Sequence, residues 1–440
     1  MHNRYEKILM ETTTSSRGGE RVSTEKLFTL FNKYDSEMTY HGEITPYPIA
    51  PPILGEASVL SPSFIGEEKI LIKSIPKFIG ESNPHPIYTA YNSLKGNQEA
   101  MEVAFRLGNQ FNPNKDIYIS SVPLLGVEIR KEKDGSEQAY IVLGETSDSA
   151  ETDPGFPSAV IMRELPPHDS IEDLMKRGAI DLIQNLLPEA FANLHQYRTE
   201  ALPYEQAKYW GSYDAIYGKF QWNFQDCMDV IKTLKNSENI EILKRLKDMY
   251  KARSERELME LIDADVRFLN KVVNDYAFGK NNPFKKIAEE RIEQGFIRRT
   301  HGDPKAANLR FATSPFIYGA PQSDHIIFLD HVDFEPSFEF TDIAEDWAHF
   351  KSDMASLIRE DFRRRFMRRD LPKMERRYFK KTNQTINPNT QALYKLHTLG
   401  KNMVRLNSKV KYKGQFNEGI TFLPEIMNSA EELFIQLEAM

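Results

Sequence analysis

The chain predicts an α+β protein of two lobes, a small β-rich N-lobe followed by a large helical C-lobe. Short apolar runs broken by Pro and Gly fill residues 46–165, whereas apolar residues at helical spacing dominate residues 166–440. Inside the helical half, a strand–loop–strand island rich in polar side chains interrupts that periodicity near residues 297–330. A polar extension, residues 1–45, precedes both lobes and carries the turn-rich run Thr12-Thr13-Thr14-Ser15-Ser16-Arg17-Gly18-Gly19.

In the N-lobe, residues 69–75 (Lys-Ile-Leu-Ile-Lys-Ser-Ile) read as a strand stopped by Pro76, and residues 116–119, 126–129, 139–143 and 159–162 read the same way. One helix interrupts them at residues 97–111, with Met101, Ala104, Phe105 and Gly108 on one face. Residues 144–158 are acidic with Pro and Gly and read as a loop; Glu164-Leu165-Pro166-Pro167 forms the hinge. Beyond it, residues 171–197 place Leu182, Leu186, Phe191 and Leu194 at helical spacing, and residues 209–297 and 340–440 read as helical. No internal repeat is present.

At 440 residues, with 40% apolar and 28% charged side chains, the chain is long enough for a large buried core. A net charge of −7 implies no general polyanion binding, so no nucleic-acid partner is expected. The basic run at residues 359–381 is the local exception; its interleaved Phe362, Phe366, Met367 and Met374 predict an amphipathic helix with a solvated basic face. Cys227 is the single cysteine, which leaves neither an intramolecular disulfide nor a cysteine-based zinc site. No signal-peptide core and no long apolar run appear, so a cytoplasmic setting without a membrane partner is expected.

The chemistry concentrates in His301-Gly302-Asp303-Pro304-Lys305-Ala306-Ala307-Asn308 and, a short loop later, Ile326-Ile327-Phe328-Leu329-Asp330. Phosphoryl transfer needs positioning and charge neutralisation more than covalent chemistry. An Asp orients the attacking hydroxyl, while an Asn and a second Asp offer the hard oxygens that magnesium prefers. The spacing equals that of the protein-kinase catalytic loop, H-R-D-L-x-x-x-N, followed by the Asp of D-F-G. Asp303 is thus the candidate base, Asn308 and Asp330 the candidate metal ligands, and Lys305 a charge able to neutralise the moving phosphoryl group. His301 reads as a brace for the loop.

Lys73, a cation within an apolar strand, needs a partner; Glu102 on the 97–111 helix is preferred, with Glu99 as the alternative and Lys69 or Lys77 as replacements for Lys73 under a register slip. No two glycines stand two residues apart and no Walker A pattern occurs, so phosphate cover must come from a loop without those signatures. Residues 58–67, with Ser61, Ser63 and Gly66, are its expected place.

With these residues in hand, the chain resembles the aminoglycoside-phosphotransferase-like branch of the protein-kinase-like superfamily, from about residue 58 to 411. The likeness is strongest to a bacterial group sometimes fused to a gluconate-kinase-like P-loop domain, which is missing here. It rests on Phe64-Ile65-Gly66 with Ile70-Leu71-Ile72-Lys73, Val160-Ile161-Met162-Arg163, Leu194-His195, the 301–308 loop, Leu329-Asp330-His331-Val332-Asp333 and Thr341-Asp342-Ile343-Ala344-Glu345-Asp346. Pro304-Lys305 replaces the usual Leu-His, and Ala307 replaces a Gly.

The resemblance implies a two-lobed protein-kinase-like fold that uses ATP and magnesium. It implies Asp303 as catalytic Asp, Asn308 and Asp330 on metal, Lys73 and Met162 on nucleotide, Asp342 bracing the catalytic loop and Asp333 as a secondary metal or substrate contact. The function expected is transfer of the ATP γ-phosphate to a hydroxyl of a small molecule, a sugar or aminoglycoside-like compound. A macromolecule-directed kinase and a non-catalytic nucleotide-binding scaffold are the alternatives. The acceptor and the oligomeric state are not legible.

Overall fold

The computed structural model describes residues 58–65, 68–74, 94–113, 117–131, 137–143, 158–163, 170–280, 282–311, 325–332, 336–358, 360–412 and 414–440. The chain divides into two compact units. One comprises Met1–Pro167 with Ser314–Ile317 and Leu329–Pro336; the other comprises His168–Thr313, Tyr318–Phe328 and Ser337–Met440.

The first unit is built on an antiparallel sheet of five strands in the order β1-β2-β5-β3-β4. They are β1 (Ser58–Ile65), β2 (Glu68–Ser74), β3 (Tyr118–Lys131), β4 (Glu137–Leu143) and β5 (Ser158–Arg163). Residues 58–65 are a strand where the sequence predicts a loop. A register shift between Leu60 and Ser63 absorbs Pro62, which cannot donate to a ladder. The two strands expected at 116–119 and 126–129 are one. β3 changes partner midway, pairing β5 through Pro123 and β4 from Leu124, so Pro123 and Gly126 mark the change of partner instead of a turn.

Helix α1 (Leu94–Phe111) starts three residues before the expected position and buries Met101, Ala104, Leu107 and Phe111 at a spacing of three to four. Gly108 is required by close approach: a Cβ there would meet the Tyr118 ring at 2.5 Å.

In the second unit, six helices organise the core: α2 (Ile180–Asn193), α3 (Tyr213–Lys235), α4 (Ile343–Leu357), α5 (Leu371–Lys381), α6 (Pro388–Asn407) and α7 (Leu423–Glu438). α6 packs against α3, α4 and α7, and its Leu393, Leu396, Leu399, Met403 and Leu406 join Phe220, Phe224, Ile426 and Leu433 in the main cluster. α4 adds an aromatic layer, with Phe191 at 5.3 Å from Trp347 and Trp347 stacked on Tyr378 at 4.5 Å.

Two small ladders carry the polar island, β6 (Ile297–Arg299) with β9 (Phe340–Asp342), and β7 (Leu309–Phe311) with β8 (Ile326–Phe328). Residues 340–342, expected as helix, are therefore strand. The reason is Asp342, whose carboxylate accepts the Ala344 N–H at 2.8 Å and fixes the first turn of α4 after it.

The basic run behaves as a packed amphipathic segment. Phe366, Leu371, Met374, Tyr378 and Phe379 are buried, while Arg377 and Lys381 reach Glu189 and Arg365 and Arg369 reach Asp370.

Arg291 grips Asp342 through two bonds of 2.6 Å, donates to Gln384 at 2.7 Å and covers the Phe296 ring at 3.9 Å. Both charges are almost fully buried. Asp342→Ala should therefore lower unfolding free energy by about 3–5 kcal/mol, the usual penalty for orphaning a buried charge. Urea denaturation checks this, and a loss under about 1 kcal/mol would contradict it.

Candidate active site

The 301–308 loop leaves β6 with its backbone already engaged. Thr300 N–H donates to Glu339 O at 2.6 Å, and Gly302 takes a left-handed φ of 81°, which a side chain would strain. The next two amides turn towards one carboxylate: His301 N–H reaches Asp346 Oδ2 at 2.7 Å and Gly302 N–H reaches Oδ1 at 2.9 Å. Further along, Ala306 N–H donates to Asp353 Oδ2 at 2.7 Å as the chain enters a single 3₁₀ turn at Ala306–Asn308. Asp346 and Asp353 are seven residues apart on α4, with His349 between them, so one face of a rigid helix holds the whole loop.

Three predicted residues come together there. Asp303 Oδ2 accepts from Lys305 Nζ at 2.8 Å and from Asn308 Nδ2 at 3.2 Å. Asn308 Nδ2 also donates to the Asp303 carbonyl at 3.0 Å. His349 Nε2 lies 3.4 Å from Asp303 Oδ1. Asp303 and Lys305 are partly exposed to solvent. The Asn308 amide nitrogen thus serves both the carboxylate and the carbonyl of Asp303.

The supports are buried, with electrostatics to match. Burial alone would raise Asp346, but the His195 bond and the His301 contacts hold its carboxyl below the ordinary value. A carboxylate only accepts, so His195 Nε2 donates to Asp346 at 3.2 Å, while Nδ1 lies 2.8 Å from Tyr378 Oη. Asp353 is pushed up by burial against the opposing pull of Arg405, 2.9 Å away, and the Ala306 amide. His349 is driven from 6.5 to about 3, by burial first and the Lys401 charge second, so it is neutral at physiological pH.

The brace expected at Asp342 is a correction: Asp342 serves Arg291 and the helix start, and Asp346, one turn further on, holds the loop. Asp346, His349 and Asp353 are the residues that sequence reading missed. Their signal was present as D-x-x-H-x-x-x-D, three polar side chains on one face of a helix otherwise carrying Trp347, Phe350 and Met354.

Asp330 belongs to the strand-rich unit. It follows the fully buried β8 by two residues, is exposed, and takes a left-handed φ of 53°, a conformation Asp tolerates better than most residues. Its N–H donates to Tyr118 Oη at 3.3 Å, and the neighbouring His331 ring meets Phe111 at 5.3 Å.

In the same unit Lys73 of β2 is paired in register with Val160 of β5, and buried Met162 with Leu71. Glu102 and Glu99 are exposed on α1, and Ser63 is in β1. The side chains of Lys73 and Ser63, and residues Gly66, Lys77 and Asp333, lie outside the described residues.

Among the described residues no group of three or more His, Cys, Asp or Glu side chains is arranged to hold a metal alone. Single hard donors suit an ion that brings most of its ligands as phosphate oxygens and water. No described helix is long and apolar enough to cross a membrane.

No family model and no curated protein matches the sequence. Among solved structures, the chain is similar to an ethanolamine kinase of Plasmodium vivax (13% identity, TM-score 0.40, covering 96% of this chain and 99% of that one). It is similar also to a choline kinase of Cryptosporidium parvum (12%, TM-score 0.38, 94% and 97%). A third is an aminoglycoside phosphotransferase-like protein of Ralstonia eutropha (13%, TM-score 0.37, 96% and 99%).

Acid should weaken the helical unit with a definite sign. His349 and His397 titrate near 6.5 when unfolded but at about 3 and about 4 when folded. Between those values the unfolded chain binds more protons, so stability falls as pH drops from about 6.5 towards 4. Asp353, with its raised pKa, works in the opposite direction. Thermal unfolding across this range should show the decline, and His349→Gln should flatten it; an equal slope in the variant contradicts the assignment.

Proposed function

We propose that this chain is a magnesium- and ATP-dependent phosphotransferase with a two-lobed protein-kinase-like fold, acting on a hydroxyl of a small molecule. The observation that carries the reading is the convergence of Asp303, Lys305 and Asn308 on a loop whose amides are tied to buried carboxylates of α4. A loop held this way keeps a reactive carboxylate in one place without reorganisation, which is what positioning catalysis needs.

In this reading Asp303 orients the acceptor hydroxyl and takes its proton as the acceptor oxygen bonds to the γ-phosphorus. The bond from that phosphorus to the β–γ bridging oxygen breaks, and ADP leaves with the electron pair. Lys305, already at hydrogen-bond distance from Asp303, balances the charge of the transferred group. His349 and Asp346 act on the loop and not on substrate. Residues 46–165 form the nucleotide lobe, with Lys73 gripping phosphate beside Glu102, Ser63 and Gly66 covering it, and Met162 lining the base from the hinge strand. Residues 166–440 form the catalytic lobe. Asn308 and Asp330 would hold magnesium, which would supply neutralisation of phosphate charge.

Asp303→Asn keeps the shape but removes the base. Nucleotide affinity should survive while turnover falls by about two to four orders of magnitude. Undiminished turnover on a folded preparation would remove Asp303 from the mechanism. Asp330→Ala should abolish the magnesium-dependent part of ATP binding, and equal calorimetric affinity with and without the carboxylate would refute its role.

A further inference from the structure

The helical unit contains a second polar constellation that the catalytic reading does not use. A cavity of about 350 Å³, open solvent at its mouth included, is lined by Lys219 of α3, Glu345 of α4, His397 and Lys401 of α6, together with Phe338 and Asn223. Its enclosed part measures about 30 Å³, room for one or two waters or for a single small ionic group, not for a whole ligand. Glu345 bridges the two lysines, with Lys219 Nζ 2.5 Å from Oε2 and Lys401 Nζ 2.9 Å from Oε1. Both ammoniums also face the Phe338 ring, at 5.6 and 5.8 Å.

The cluster is not balanced. At direct contact two ammoniums meet one carboxylate, with Asp346 the next carboxylate to act on Lys219, and buried ion clusters are stable only when their charges and donors are matched. Lys219 is complete: its other contacts are Ser337 O and Thr341 Oγ1, both at 3.3 Å. Lys401, 6% exposed, has Glu345 as its one polar partner among the described residues. His397, 7% exposed, has a buried Nε2 with no partner, and its Nδ1 is 3.8 Å from Glu345. His397 and Lys401 are four residues apart on α6, and both residues line the same cavity. Glu345 is also one turn from His349 on α4, the residue that faces Asp303.

We propose that this cavity receives an anionic group of the acceptor, a carboxylate or a phosphate monoester, so that the acceptor is a small hydroxylated anion. The proposal rests on the phosphotransferase reading for the word acceptor, and on the cavity alone for the anion. Lys401 and His397 supply the donors, Lys219 and Lys401 the excess charge, and Glu345 holds the lysines in place. An amino alcohol or aminoglycoside would bring an ammonium against two others, so the cationic acceptors that the resemblance suggested are disfavoured.

Calorimetry with inorganic phosphate and with glycerate, on the full chain, tests the cavity. Lys401→Gln leaves Glu345 paired with Lys219 and should fold; it should weaken anion binding by about tenfold to a hundredfold, the range for a bond to a charged group. Lys401→Arg should restore most of it, and His397→Gln should weaken binding with Lys401 intact. Equal affinity in wild type and Lys401→Gln, or no anion binding by wild type, overturns the proposal.

ATP consumption with glycerate, glycerol 3-phosphate, glycerol and ethanolamine then separates the readings. Turnover on glycerate or glycerol 3-phosphate supports the proposal and says which anion is used. Turnover confined to ethanolamine or glycerol overturns it while phosphotransfer stands. Lys401-dependent anion binding without turnover on any acceptor leaves the anion site standing and removes the phosphotransferase reading.

Discussion

The carboxylate of Asp346 is the constraint on which the 301–308 loop depends. It is almost completely buried, and a buried anion survives only if its lone pairs are satisfied. Here they are met by two consecutive loop amides and by His195, three donors from two separate stretches of chain. Bonds to an ionised acceptor are about twice as strong as neutral ones, so the loop is held by the strongest class of hydrogen bond available. The arrangement also works in reverse. The negative charge keeps the two amides pointing inward, which fixes where Asp303 must emerge on the next residue. Gly302 makes the turn possible, since its left-handed backbone angle is what lets both amides face the same carboxylate.

α4 extends that logic along its length. A helix rises about 1.5 Å per residue and returns to the same face after seven, so Asp346 and Asp353 sit about 10 Å apart, a spacing the short loop from His301 to Ala306 can bridge. The helix itself is fixed at its start by Asp342 against Arg291, and along its other side by Trp347, Phe350 and Met354 in the aromatic and aliphatic core. Motion of the 301–308 loop relative to α4 would therefore break charged hydrogen bonds, and motion of α4 would break core packing. Both are costly, and preorganisation follows from that cost and not from any rigidity of the loop sequence.

The loop motif was legible in the sequence because its chemistry is local: Asp303, Lys305 and Asn308 are close in the chain, and their spacing alone predicts that they meet. The broad division into a strand-rich and a helical part was legible for the same reason, since periodicity is a local property. What escaped was set by contacts between distant residues. The partners of the loop amides lie 44 to 47 residues away, and although D-x-x-H-x-x-x-D sets Asp346 apart from Asp342, both are acids at a helix start and the pattern does not say which of them the loop meets. The choice is made by β9, which pairs with β6 and rotates α4 so that Asp346 faces the loop while Asp342 faces Arg291. The single long β3 escaped likewise, because Pro and Gly read as turn residues until the partner strands are known.

Glu345 and Asp346 are neighbours on α4, yet they point about 100° apart around the helix and serve different constellations. Asp346 is enclosed by neutral or singly charged donors and is fully matched. Glu345 is enclosed by two ammoniums, which overcome its burial and hold its carboxyl well below the ordinary value, and the surplus charge stays on the lysine side. The difference follows from what each carboxylate has to hold. One fixes a backbone, which calls for complete satisfaction and no exchange. The other holds two lysines at the wall of a cavity, and a group that must release and rebind an anion cannot be saturated by the protein itself. Local completeness at Asp346 and local incompleteness around Lys401 are therefore the expected signatures of a support and of a binding site, carried by adjacent residues of one helix.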